Sequence, residues 1–73
     1  MTPEQALGEV LRQLRQERGL SQEQFADLCR ISRPHVSRLE TGRHSATLSM
    51  LFQIAAAVDV APEELIRRAR ERL

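Results

Sequence analysis

The stretch SQEQFADLCRISRPHVSRLETG, residues 21–42, decides the fold. It holds two short helical segments and the break between them. Ser21 with Gln24 makes an S-x-x-Q capping box, a helix-start signal. Phe25, Ala26, Leu28 and Cys29 follow as the apolar side. Ser32, a favoured N-cap residue, opens the second segment. Pro34 is tolerated there, because the N–H groups of a first helical turn have no intrahelical partner to lose. Gly42 closes it as a C-cap glycine. Val36 and Leu39 are its only residues spaced to face a core, which leaves Arg33, Pro34, His35, Ser37 and Arg38 outside.

Only Arg30 to Ser32 join the two segments. Ala26 is small, which lets the helices cross closely, and Val36 and Leu39 then fasten the second to the body. Two short helices in this relation, the second with a polar and basic outer face, form a helix-turn-helix. In that motif the second helix enters a DNA major groove.

Around this centre the chain reads as all-α, one domain over residues 1–73, with helices at about 3–18, 21–29, 32–41, 47–58 and 62–72. Thr2 and Pro3 suit the N-cap and N1 positions of the first, and Leu7, Val10, Leu11 and Leu14 recur at helical spacing until Gly19 stops it. In the fourth, Leu48, Leu51, Ile54, Ala55 and Val58 make an apolar stripe, which Met50, Phe52, Ala56 and Ala57 extend. The fifth begins at Pro62, with Glu63 and Glu64 early and Arg67, Arg68, Arg70 and Arg72 late, the order a helix dipole prefers. Leu65, Ile66, Ala69 and Leu73 form its apolar side.

A chain of 73 residues buries only about 60% of its unfolded surface, so good helix packing or a partner chain must stabilise it. Cys29 is the only cysteine, which excludes an internal disulfide and fits a reducing cytoplasm. No apolar run reaches membrane-spanning length and no secretion leader is visible. The net charge of +1 hides an uneven distribution. Residues 1–30 carry four arginines against five acids and residues 46–73 carry four against four. Residues 31–45 carry Arg33, Arg38 and Arg43 against Glu40 alone, with His35 and His44 besides. All the basic residues are arginine, which makes bidentate contacts to phosphate and guanine that lysine cannot.

At these spacings the sequence resembles the phage-repressor and Cro-like (xenobiotic-response-element type) helix-turn-helix family. The resemblance runs from about Leu7 to Leu65 and is carried by RGLSQEQFA, SRLETG and IAAAVDV. In size and pattern it is nearest to restriction–modification controller proteins and small prophage repressors. It implies a compact five-helix, lambda-repressor-like domain that regulates transcription without enzymatic activity or cofactor. The operator would be palindromic and read by a homodimer. Gln22 matches a glutamine that contacts phosphate and braces the recognition helix. Arg33, Pro34 and Arg38 match base-reading positions, and Ser37 matches a serine against the DNA backbone. Arg43 and His44 fall in the loop that approaches phosphates. Ser21, Ser32 and His35 complete the candidate contacts. Arg15 and Glu40 match a semi-buried ion pair between the first and third helices. Three positions depart from the family: Arg30 and Asp59 stand where glycine is usual, and Ala46 where proline is.

Other readings carry less. Cys29, His35 and His44 have no zinc-site spacing, and Cys29 lacks the base and orienting group of a nucleophile. Phe52, Val60, Leu65, Ile66 and Ala69 are the candidate dimer contacts. The alternatives are an antitoxin with a toxin partner, or a protein-interaction module without DNA binding. Arg33 and Arg38 argue against the latter.

Overall fold

The computed structural model describes all 73 residues and contains five helices and no strand. These are α1 (Pro3–Glu17), α2 (Gln22–Cys29), α3 (Arg33–Glu40), α4 (Leu48–Val58) and α5 (Pro62–Glu71). Local chemistry sets each start. Thr2, Ser21, Ser32 and Thr47 stand in extended backbone just before their helices, and each hydroxyl accepts from an amide three residues on. Such a cap is worth about 1 kcal/mol. At α1 and α2 the glutamine at that third position answers, as Gln5 and Gln24 accept the cap residue's own N–H at 2.8 Å. Ala61 gives α5 no side-chain cap; Pro62 and the acids Glu63 and Glu64 in the first turn serve instead.

The core takes residues from every helix. Val10, Leu11 and Leu14 of α1 meet Phe25, Ala26 and Cys29 of α2 and Val36 and Leu39 of α3, while Ile54, Ala55 and Val58 of α4 and Leu65 of α5 close it. α1 packs on both α3 and α5, and α4 bridges α2 and α5. Gly8 lets α1 approach α3: a Cβ there would lie 2.4 Å from the Leu39 carbonyl oxygen and 2.6 Å from that of Glu40.

Several apolar positions part from their sequence reading. Leu28, Leu48, Ile66 and Leu73 are exposed rather than packed inward. Leu48 is the first residue of α4, and an N-terminal residue leans away from the body it precedes. Leu65 corrects the other way. It has no exposed surface and belongs to the protein's own core, so it has no area left to offer a second copy.

Four connections use left-handed backbone, at Gly19, Arg30, Gly42 and Asp59. Gly42 has φ +75°, with the Gln5 side chain and backbone where a Cβ would go. Arg30 (φ 60°, ψ 42°) ends α2 and Asp59 (φ 57°, ψ 45°) ends α4. These two fill the glycine positions of the resembled family, and for a residue with a Cβ this region costs about 1–2 kcal/mol.

Candidate nucleic-acid interface

The inner side of α3 is fastened by apolar packing and one charged knot. Val36 and Leu39 are in the core, and Glu40 is buried beside them. Its carboxylate accepts Arg15 Nε at 2.7 Å and Nη2 at 3.1 Å. The Gln22 amide donates to the same carboxylate at 3.1 Å, and Arg15 Nη1 donates to the Leu20 carbonyl at 2.9 Å. One glutamate thus ties α1, α2 and α3 together. Charge-assisted bidentate pairs of this kind are the strong ones, and no buried side-chain polar atom lacks a partner.

The outer side of α3 is free. Arg33, Pro34 and Arg38 are exposed, and Ser37 is half-buried between them. Beyond Gly42 the loop folds back: the N–H groups of Arg43 and His44 donate to the Arg38 carbonyl, at 2.9 and 3.3 Å. That return sets the His44 ring edge-on to His35, with centroids 6.1 Å apart. Arg33, Arg38 and Arg43 enter none of the protein's five salt bridges. Ser21 and Ser32 use their hydroxyl oxygens as cap acceptors, at 3.0 and 3.2 Å, so each O–H proton remains available to an external acceptor. The structure therefore gathers Arg33, Pro34, His35, Ser37, Arg38, Arg43 and His44 on α3 and its return loop. It assigns Gln22 to the brace behind them.

Elsewhere the sequence candidates separate. Phe52 and Val60 line a groove at the α4–α5 junction with Ala56, Ala61 and Pro62. Ile66 and Ala69 line a different cleft, of about 200 Å³, against Pro3, Leu7 and Ala46. These surfaces share no lining residue. Cys29 is buried, and burial pushes its thiol up from 9.0 to about 11, so it is held neutral. No three His, Cys, Asp or Glu side chains come together to hold a metal ion, and no helix is long and apolar enough to cross a membrane.

Three residues that join the helices to one another escape sequence reasoning. Gly8 left one signal, a helix-breaking residue inside a strong helical pattern, which often marks a close approach. Gln53 left none, although its amide donates to the Cys29 carbonyl at 2.6 Å. Arg18 donates at 2.6 Å to the Val58 carbonyl and so closes the end of α4.

Comparison with known proteins agrees with this geometry. A helix-turn-helix family model, HTH_3, matches residues 11–65. An HTH-type transcriptional regulator, DdrOP3 of Deinococcus deserti, is 40% identical over 60 residues, which is 82% of this chain but 46% of that protein. The chain thus spans about half the length of that curated relative. Among solved structures, the clp gene regulator ClgR of Corynebacterium glutamicum superposes with a TM-score of 0.91 at 25% identity, over 100% of this chain and 95% of that one. The restriction–modification controller protein C.AhdI of Aeromonas hydrophila gives 0.79 at 38% identity, over 84% and 92%. With the motif's geometry and a family match over most of its length, the chain belongs to the HTH_3 helix-turn-helix family.

Proposed function

We propose that this protein is a sequence-specific DNA-binding transcriptional regulator that lays α3 in the major groove. The observation that carries this reading is the trio Arg33, Arg38 and Arg43, which make no ion pair within the protein. They stand on and beside a helix whose opposite face is locked by Val36, Leu39 and Glu40. A guanidinium reaching two acceptors on guanine gives about 1–3 kcal/mol of base discrimination. Ser21 and Ser32, at the positive ends of α2 and α3, offer hydroxyl protons to phosphates. His35 and His44, side by side, and Ser37 complete the contact surface.

One such helix reads too few base pairs for genomic selectivity, so the operator is a palindrome read by a homodimer. Exposed Phe52 and half-buried Val60, which line one groove at the α4–α5 junction, supply the apolar surface for that pairing. The recognition helices of the dimer would stand about 34 Å apart, one duplex turn. The similarity to C.AhdI across most of both chains favours a controller-type role.

The test is selection of bound duplexes from a random pool at near-physiological salt. An enriched inverted repeat with half-site centres roughly 10 bp apart is the expected result. A folded protein that enriches nothing would refute the DNA reading. Sedimentation that shows only monomer at micromolar concentration, with and without the selected duplex, would refute the dimer.

A further inference from the structure

The core anchors of α3, Val36, Leu39 and Glu40, begin at the fourth of its eight residues. Its first three residues, Arg33 and Pro34 among them, hold no core anchor and follow directly on the turn before them. That turn hinges on Arg30, held at φ 60° with a side chain attached. The Ile31 N–H returns to the Ala26 carbonyl at 3.0 Å, but the carbonyls of Cys29 and Arg30 lie past the point where α2 can supply donors. Gln53 reaches across from α4 to both. Its Nε2 lies 2.6 Å from the Cys29 oxygen and 3.4 Å from that of Arg30. It is the only side chain that donates to the turn, and its short bond falls on Cys29, the residue just before the left-handed Arg30.

We propose that Gln53 is a positioning residue for the DNA-reading helix. By holding the left-handed turn at Arg30, it sets where Arg33 and Pro34 meet the bases. This rests on the major-groove reading above. The clamp offsets the missing glycine, because a backbone that prefers to leave the left-handed region is kept there by a donor from outside the motif.

The test uses the full chain with Gln53→Glu, which keeps the shape and removes the donor, and Gln53→Met, which is uncharged and of similar length. Two quantities are read: amide exchange at Ile31, and preference for the duplex selected by the wild-type protein over scrambled DNA. Both should change by about tenfold in each variant, the scale of one hydrogen bond. The loss of preference falls on the base pairs that Arg33→Ala relaxes and spares those that Arg38→Ala relaxes. The salt dependence of binding stays that of the wild type, because no phosphate contact is removed. Adding Arg30→Gly to Gln53→Met restores the preference, since glycine adopts this backbone without strain. Unchanged Ile31 exchange and unchanged preference in Gln53→Met would overturn the role of Gln53 and leave the DNA reading intact. Failure of the wild-type chain to select any duplex would remove the DNA reading and this role with it, while faster Ile31 exchange would still show the clamp itself.

Discussion

Two surfaces of this molecule carry arginines in similar number and use them oppositely. On α5, Arg67 grips Glu64 with two nitrogens, at 2.9 and 2.6 Å, and Glu71 with a third at 2.7 Å. Arg68 shares Glu64 at 2.9 Å, and Arg72 turns to Gln13 and Glu9 of α1. The Arg67 and Arg68 guanidiniums hold the Glu64 carboxyl well down, from 4.5 to about 2. On α3 and its loop, Arg33, Arg38 and Arg43 have no such partner. The one acid nearby in sequence, Glu40, faces inward and is occupied by Arg15 and Gln22. The placement of carboxylates, more than the count of arginines, therefore separates the neutralised Arg67, Arg68 and Arg72 from Arg33, Arg38 and Arg43, whose charge no side chain answers; Arg70 of α5 is likewise unpaired.

The comparison breaks most visibly at its buried member. Arg15→Ala should leave Glu40 as an uncompensated buried charge and lower stability by about 3–5 kcal/mol, read as the urea midpoint. An unchanged midpoint would remove the knot from the account. Arg38→Ala should do the reverse. Its stability stays within about 0.5 kcal/mol of wild type, while affinity for the selected duplex falls by about 1–3 kcal/mol. Arg67→Ala should leave DNA affinity unchanged and cause a small, salt-sensitive loss of stability, because its ion pairs are solvent-exposed. The smallest effect belongs to pH. The folded carboxyl of Glu64 sits below its ordinary value, so its stabilisation is complete above pH 4.5 and is lost as pH falls through about 2. Glu64→Gln should therefore differ from wild type near neutrality and converge with it at the acid end. Thermal midpoints across that range decide the point, and a gap that widens on acidification would contradict it.

Much of this was legible because it is local. The hydroxyl caps at Thr2, Ser21 and Ser32 each act on an amide three residues away, so spacing alone exposes them. Arg30 and Asp59 occupy left-handed turns at the positions where the family pattern calls for glycine. Less was legible where two helices must be placed before a residue's surroundings exist. Leu65 and Ile66 are neighbours of like apolarity, yet one has no exposed surface and the other is half exposed. Periodicity gives the angle between them but not which side meets α1 and α4. The link from Gln53 to the turn spans 24 residues and follows no spacing rule, and the pair of Arg15 and Glu40, 25 apart, came from family resemblance. Gly8 inside a helical pattern signals a close approach but does not name its partner, the α3 carbonyls.

The central claim is that the unpartnered arginines of α3 meet DNA while the paired ones of α5 do not. All eleven basic residues are arginine, so one nitrogen-15 spectrum of the guanidinium Nε–H groups reports both sets at once. On addition of the selected duplex, the signals of Arg33 and Arg38 should shift and those of Arg67 and Arg68 should stay where they are. Movement of the α5 signals with those of α3 unmoved would contradict the account.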